Sequence, residues 1–221
     1  MFGKSILFSE MTPGADWVTD FNHWYDTEHI PVRMVLDGFQ GAQRYKSVDR
    51  DSNLVVYDMD SQGALKTPGY QVVKNQPSEK TRWMLQNVTG FTRYLADEIG
   101  NAGKLDQRAE QAPVLFTAMF TVPEEELANF DAWYVEDHIP ILLECTDWLA
   151  VRRFAVTSAE PGTYNRLAIH YLNSDAALSS PQRERARNTP WRNRMAANDW
   201  FKEGYYATFN RLGRRFDGAA K

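Results

Sequence analysis

Two short runs rich in β-branched and aromatic residues, KSILFSEM near the start of the chain and VLFTAMFTV after Pro113, read as strands. Each is followed by apolar residues at helical spacing. In the second stretch the stripe is Leu127, Phe130, Tyr134 and Ile141, and it begins after Pro123 and a glutamate run that suits a helix N-terminus. In the first the stripe is Trp17, Phe21, Tyr25 and Val32. That helix is expected to end or bend near His29–Ile30, because a residue before proline is pushed out of the right-handed helical region. Two alternating runs follow, AQRYKSV and NLVVYDMD, joined by the turn-like DRDSN. A second helical region comes next, and then a last strand, GFTRYLADE in one half and GYYATFNRL in the other. The order is β-α-β-β-α-β, the ferredoxin-like unit, written twice.

The repetition extends to particular residues. At a shift of 109 positions (138 minus 29), Phe21, Trp24, Tyr25, His29, Ile30 and Pro31 fall on Phe130, Trp133, Tyr134, His138, Ile139 and Pro140. Glu28 falls on Asp137, Arg44 on Arg153 and Tyr45 on Phe154. Four extra residues then enter the second copy, after which Ala64, Leu65, Pro68, Asn75 and Pro77 match Ala177, Leu178, Pro181, Asn188 and Pro190. The expected organisation is a first ferredoxin-like repeat over 1–100, a polar Gly- and Pro-bearing linker over 101–112, and a second repeat over 113–221.

A β-α-β-β-α-β half with a Trp/Tyr and acid-His-x-Pro signature closing its first helix resembles the dimeric α+β barrel superfamily, and within it the EthD-like group. The resemblance spans essentially the whole chain, as a fused tandem duplicate. It implies an α+β fold in which the two ferredoxin-like repeats pack as an intramolecular dimeric α+β barrel, with small-molecule pockets between sheet and helices. It also implies an aromatic or polyketide-like substrate, and a second copy of the chain is a partner that the fold class allows.

Composition narrows the functions. A net charge of −4 argues against general affinity for nucleic acid or anionic membrane. Cys145 is the single cysteine, so no intramolecular disulfide exists; with no signal peptide apparent, a reducing cytoplasm is expected. No apolar run approaches the ~18–20 residues that span a bilayer. There is no phosphate-binding glycine loop, dinucleotide fingerprint or paired-cysteine zinc pattern, so no cofactor and no metal is expected.

The candidate chemistry sits in the repeated phrase. Tyr25 and His29 are four apart, as are Tyr134 and His138, so each pair shares a helix face. Imidazole exchanges a proton near neutral pH and a phenol can donate to a developing oxyanion, a kit for acid/base chemistry on a carbonyl or phenol. These four residues are the catalytic candidates. Arg44 and Arg153 hold a substrate carboxylate if they point inward and are solvated surface if the strand alternation runs the other way. Trp24 and Trp133 read first as packing, with Trp24 a candidate pocket wall. Glu28 lies beside His29 in sequence and is taken with it as a binding candidate.

The halves differ. His23 becomes Ala132, Asp26 becomes Val135, Gln43 becomes Arg152, and Tyr57 becomes His170, which could complement His138 from a strand. His23 and His170 are therefore substrate-binding candidates, and the more polar first half is the favoured site. RERARNTPWRNR, with five arginines, reads as the solvated face of a second helix. Cys145 reads as a buried structural thiol. The leading functional expectation is a cofactor-free lyase or isomerase. A cofactor-independent monooxygenase is the second, and a small-molecule binding protein without turnover the third.

Overall fold

A computed structural model describes residues 2–219. The chain folds as two compact units. Unit one holds the chain up to Asp97, together with Thr157–Pro161 and the stretch from Arg211 on; unit two holds Glu98–Val156 and Gly162–Asn210. Both are α+β with antiparallel strands.

Unit one runs β1 (Ser5–Met11), α1 (Val18–Trp24), a π-helical turn (Tyr25–His29), α2 (Pro31–Met34), β2 (Phe39–Ser47), β3 (Asn53–Met59), α3 (Pro68–Asn75), α4 (Glu79–Asn87) and the first part of β4 (Arg93–Gly103). Its strands lie in the order β4-β1-β3-β2, with Ser5 opposite both Asp97 and Met59, and Arg44 opposite Val55. β1 and β3 are central, and every one of their residues is buried. That is why SILFSEM reads as a nearly continuous apolar run and not as a clean alternation. On the helix-bearing face, Leu7, Met11, Val55 and Tyr57 meet Phe21, Trp24, Tyr25 and Ile30 in one core.

Unit two follows the same order of elements: the end of β4, α5 (Gln107–Glu110), β5 (Val114–Phe120), α6 (Leu127–Trp133), a second π-helical turn (Tyr134–His138), α7 (Ile139–Leu142), the first part of β6 (Trp148–Glu160), β7 (Arg166–Leu172), α8 (Pro181–Ala186), α9 (Pro190–Ala196), α10 (Asp199–Lys202) and the first part of β8 (Tyr205–Asp217). Its strand order is β8-β5-β7-β6. Phe130, Trp133, Tyr134 and Ile139 pack with Val114, Ala118, Val151 and Leu172. The stretch 101–112 carries the end of β4 and then α5, whose N-terminal amides are capped by the Asp106 carboxylate. Among the described residues no helix is long and apolar enough to cross a membrane.

The first helix does not stop before Pro31. Ile30 stays helical at φ −76° and ψ −51°, and its N–H bonds to the Tyr25 carbonyl, five residues back, at 3.1 Å. The wider turn accommodates the proline ring, and Pro31 opens α2 as its first residue, where its missing N–H costs nothing. Ile139 and Pro140 repeat the device, with the Ile139 N–H on the Tyr134 carbonyl. An extra residue in one turn rotates everything after it by about 100°. So Val32, expected on the buried stripe, is 38% exposed, while Arg33 and Met34 turn inward. In unit two Leu142 takes the inward place and Ile141 is left half-buried.

Candidate functional site

The π-turn presents Tyr134 and His138 to a cavity of about 130 Å³ in unit two, walled by Phe116, Phe120, Trp133, Leu142, Trp148 and Phe201. Their ring centroids are 5.3 Å apart, and the Trp133 ring lies 4.7 Å from the imidazole.

Hydrogen bonds behind Tyr134 settle where its proton goes. The Trp148 indole N–H, which can only donate, points at His170 Nδ1 at 3.0 Å. Nδ1 therefore carries a lone pair. Complete burial holds the His170 pKa well below its ordinary value, so the ring is neutral and its one hydrogen sits on Nε2. That nitrogen lies 3.1 Å from the Tyr134 hydroxyl and donates to it. Burial also raises the Tyr134 pKa, so the phenol stays protonated with its own hydrogen free for the cavity. His138 has the opposite polarity. Its Nδ1 lies 3.3 Å from the Ala186 carbonyl, an acceptor, so Nδ1 bears the hydrogen and Nε2 is left as a base. Burial is the main cause of a His138 pKa lowered to about 4. The Ala186 bond and Asp137 oppose that shift, and Arg192 and Arg183 add to it.

Three arginines face the same cavity, Arg183 and Arg187 from the α8 region and Arg192 from α9. They belong to the run expected to be a solvated face; Arg183 and Arg192 are instead partly buried, while Arg187 is exposed as expected and borders the cavity from its rim. Arg185 alone of the run pairs with a surface carboxylate, Glu144, and Arg194 is exposed. Helical spacing turns Arg183 and Arg187, four apart, to one side of α8, a placement hidden while the helix had no known partner. Arg183 donates to the Leu178 carbonyl at 2.7 Å and lies over the Phe116 ring, and Arg192 lies over Phe201. None of the three has a carboxylate partner among the described residues. The Trp133 indole N–H is also buried without a hydrogen-bond partner among the described residues. The wall thus offers donors and cations around one imidazole lone pair, His138 Nε2.

Unit one has a cavity in the matching place, about 250 Å³, lined by Tyr25, His29, Arg33 and Tyr57 among apolar residues. Here the Tyr25 hydroxyl points at the Met11 sulfur, 3.7 Å away, a weak acceptor. Burial, reinforced by Arg33 and Arg44, holds the His29 pKa well below the usual imidazole value. Arg33 escaped the sequence reading because the π-turn changes the helix register after it.

The other candidates are placed as follows. Arg44 is buried but does not line the cavity: it bonds Asp26 at 2.8 Å and the Asn22 side chain, and its guanidinium lies 4.7 Å over the Tyr25 ring. It braces the tyrosine from behind. Arg153 pairs with Asp131, which Arg166 also holds, beside a second, far smaller recess. His23 is exposed on the outer side of α1. Glu28 accepts from Ser78 and Thr81 at the start of α4, and the Trp24 indole N–H bonds Thr81 at 3.0 Å. Asp137 accepts from Thr189 in the same way, so the acid of each motif ties down a second helix, and Asp137 acts on its neighbouring imidazole only through its charge. Trp24 packs on His29 at 4.3 Å. Cys145 is partly exposed.

No protein-family model matches this sequence, and no curated protein matches it. Solved structures do. An anthrone oxidase-like protein superposes with a TM-score of 0.70 at 12% identity, over 98% of this chain and 94% of its own. A protein named provisionally as a monooxygenase, from Fusobacterium nucleatum, gives 0.65 at 13% identity, over 98% and 96%. Another so named, from Lactobacillus acidophilus, gives 0.60 at 10%, over 98% of both chains. At these identities the likeness is one of fold.

Proposed function

We propose that this protein is an enzyme acting from the unit-two cavity on a small aromatic carbonyl or phenolic compound that bears an anionic group. His138 Nε2 removes a proton from the substrate, Tyr134 donates its hydrogen to the oxygen on which charge develops, and Arg183, Arg187 and Arg192 hold the anion. The observation that carries this reading is the opposed polarity of Tyr134 and His138 on one apolar wall, fixed by the Trp148–His170 chain on one side and Ala186 on the other. An aromatic substrate suits the ring-lined cavity. The enolate or phenolate then takes a proton at another carbon or expels a leaving group, as an isomerase or lyase requires. The repeated residues and element order support an origin by duplication of one unit, with EthD-like ancestry, as part of the same reading.

The neighbours' names favour a second outcome, in which the same carbanion meets O₂. With anthrone the balance is anthrone plus O₂ giving anthraquinone plus water. Both outcomes share the proton abstraction, so the test begins there. Anthrone in D₂O without oxygen should exchange its methylene hydrogens faster with enzyme than in the blank, and His138→Gln should lower that rate about 10²–10⁴-fold. Oxygen uptake on admitting air selects the oxygenase outcome, and exchange without uptake selects the lyase or isomerase. Anthrone bound but recovered without deuterium or oxidation would leave a binding protein and overturn the proposal.

A further inference from the structure

The unit-one cavity takes no part in that reaction, yet it is the larger of the two and carries its own polar set. Arg33 is 9% exposed; its guanidinium donates to the His29 carbonyl and forms no ion pair among the described residues. His29 Nδ1 and the Tyr57 hydroxyl are buried with no hydrogen-bond partner among those residues. All three residues line the cavity, with Leu7, Met11 and Val55 supplying apolar wall. Lys74 and Arg93 also face it, and no carboxylate does. A buried guanidinium without a counter-charge is costly, as is each buried polar atom left unbonded, so an anion that meets them recovers that cost.

We propose that unit one holds a second small-molecule site, specific for a flat apolar carboxylate whose oxygens meet Arg33 and the Tyr57 hydroxyl. The site is not a copy of the one in unit two. Arg33 corresponds to Leu142 and Tyr57 to His170, so neither anion contact exists there. Conversely, Arg183, Arg187 and Arg192 correspond, across the inserted residues, to Tyr70, Lys74 and Glu79. Lys74 and Arg187 thus put a cation at one shared position, but the buried guanidinium of Arg33 has no counterpart in unit two, and Arg183 and Arg192 have no cationic counterpart in unit one, so the two cavities orient an anion differently.

The test is equilibrium dialysis of the intact chain against 2-naphthoate. Two equivalents should bind. Arg33→Leu, which installs the side chain unit two already uses, should weaken one equivalent about 30-fold or more and spare the other. Tyr57→Phe should weaken the same equivalent about tenfold, and 2-naphthamide should not fill it. Arg183→Gln should affect only the second equivalent. A single equivalent lost in Arg33→Leu still supports the unit-one site, while counting against the anion subsite assigned to unit two. No saturable binding, binding indifferent to both Arg33→Leu and Tyr57→Phe, or naphthamide binding as tightly as naphthoate overturns the proposal. Should Arg33→Leu fail to fold by circular dichroism, Tyr57→Phe decides.

Discussion

His138 should make the stability of this protein depend on pH in a way that one substitution removes. Burial lowers its pKa to about 4 in the folded chain, against an ordinary value of 6.5 once unfolded. Between those values the unfolded chain binds a proton that the folded chain refuses. Unfolding then takes up a proton, and acid favours it. The folded state is unpenalised above about pH 6.5 and loses stability as pH falls toward 4. Integrating the two titrations gives a loss of almost nothing at pH 7.5, about 2 kcal/mol at pH 5 and about 3 kcal/mol at pH 4. His29 and His170 are also depressed by burial and add losses of the same sign, so the raw pH dependence cannot be read as one residue's.

Subtracting a variant isolates the effect. His138→Gln keeps an amide that can bond the Ala186 carbonyl but cannot titrate. Urea unfolding followed by tryptophan fluorescence, at pH 7.5 and at pH 5, gives two stability differences. The parent should lose about 2 kcal/mol more than the variant between the two conditions, because the other histidines cancel. Equal losses would mean that His138 is solvated and protonates normally in the folded state. The apolar wall would then not exclude water from the imidazole, and the placement of Nε2 in a dry cavity opposite the Tyr134 hydroxyl would fall with it.

Three further outcomes are expected. His170→Phe strands the Trp148 N–H and removes the donor to Tyr134; it should cost about 1–3 kcal/mol in urea unfolding and reduce turnover while leaving KM within a few-fold. Arg183→Gln should raise KM for a carboxylated anthrone about tenfold with kcat little changed, and should not alter KM for anthrone itself; a fall in kcat alone would place Arg183 in the chemistry instead of in binding. Arg44→Met breaks the bonds to Asp26 and Asn22 behind Tyr25 and should destabilise by about 1–3 kcal/mol, less than a fully buried pair because the Asp26 side chain is 45% exposed and can be hydrated.

The order of strands and helices was legible in the sequence because alternation and helical spacing report directly on which faces are covered. Tyr134 and His138 were legible as a pair for the same reason. Arg33 was not. Its inward position depends on a π-turn, and Ile-Pro inside a helix reads as an ending or a bend, without the change of register that the i to i−5 bond brings. The cavity arginines were hidden differently. A run of five cations at helical spacing looks the same on a solvated helix as on one whose face closes a pocket, and only the tertiary placement of α8 and α9 separates the two. Arg44 shows the converse limit: its inward orientation was anticipated as one of two options, but the carboxylate it meets is Asp26 of its own chain.

The same tyrosine and histidine can therefore do different work in the two units, and residues outside the repeated phrase decide which. In unit one Tyr57 and Phe39 stand where unit two has His170 and Trp148. Tyr57 brings a hydroxyl that has no hydrogen-bond partner among the described residues, and Tyr25 directs its own hydrogen at Met11 sulfur. In unit two the indole forces the imidazole into one tautomer, the imidazole donates to Tyr134, and the phenolic hydrogen is released toward the cavity. Exchanging Trp148 for phenylalanine would erase that instruction without touching either candidate catalytic residue. His170 could then turn its lone pair toward Tyr134, accept the phenolic hydrogen and silence the donor. Trp148→Phe should accordingly lower turnover in a fold that stays intact. The Nε2-bound hydrogen of His170, visible by ¹⁵N NMR in the parent, should shift toward Nδ1 in the variant. An unchanged tautomer together with unchanged turnover would show that Tyr134 does not depend on the chain behind it.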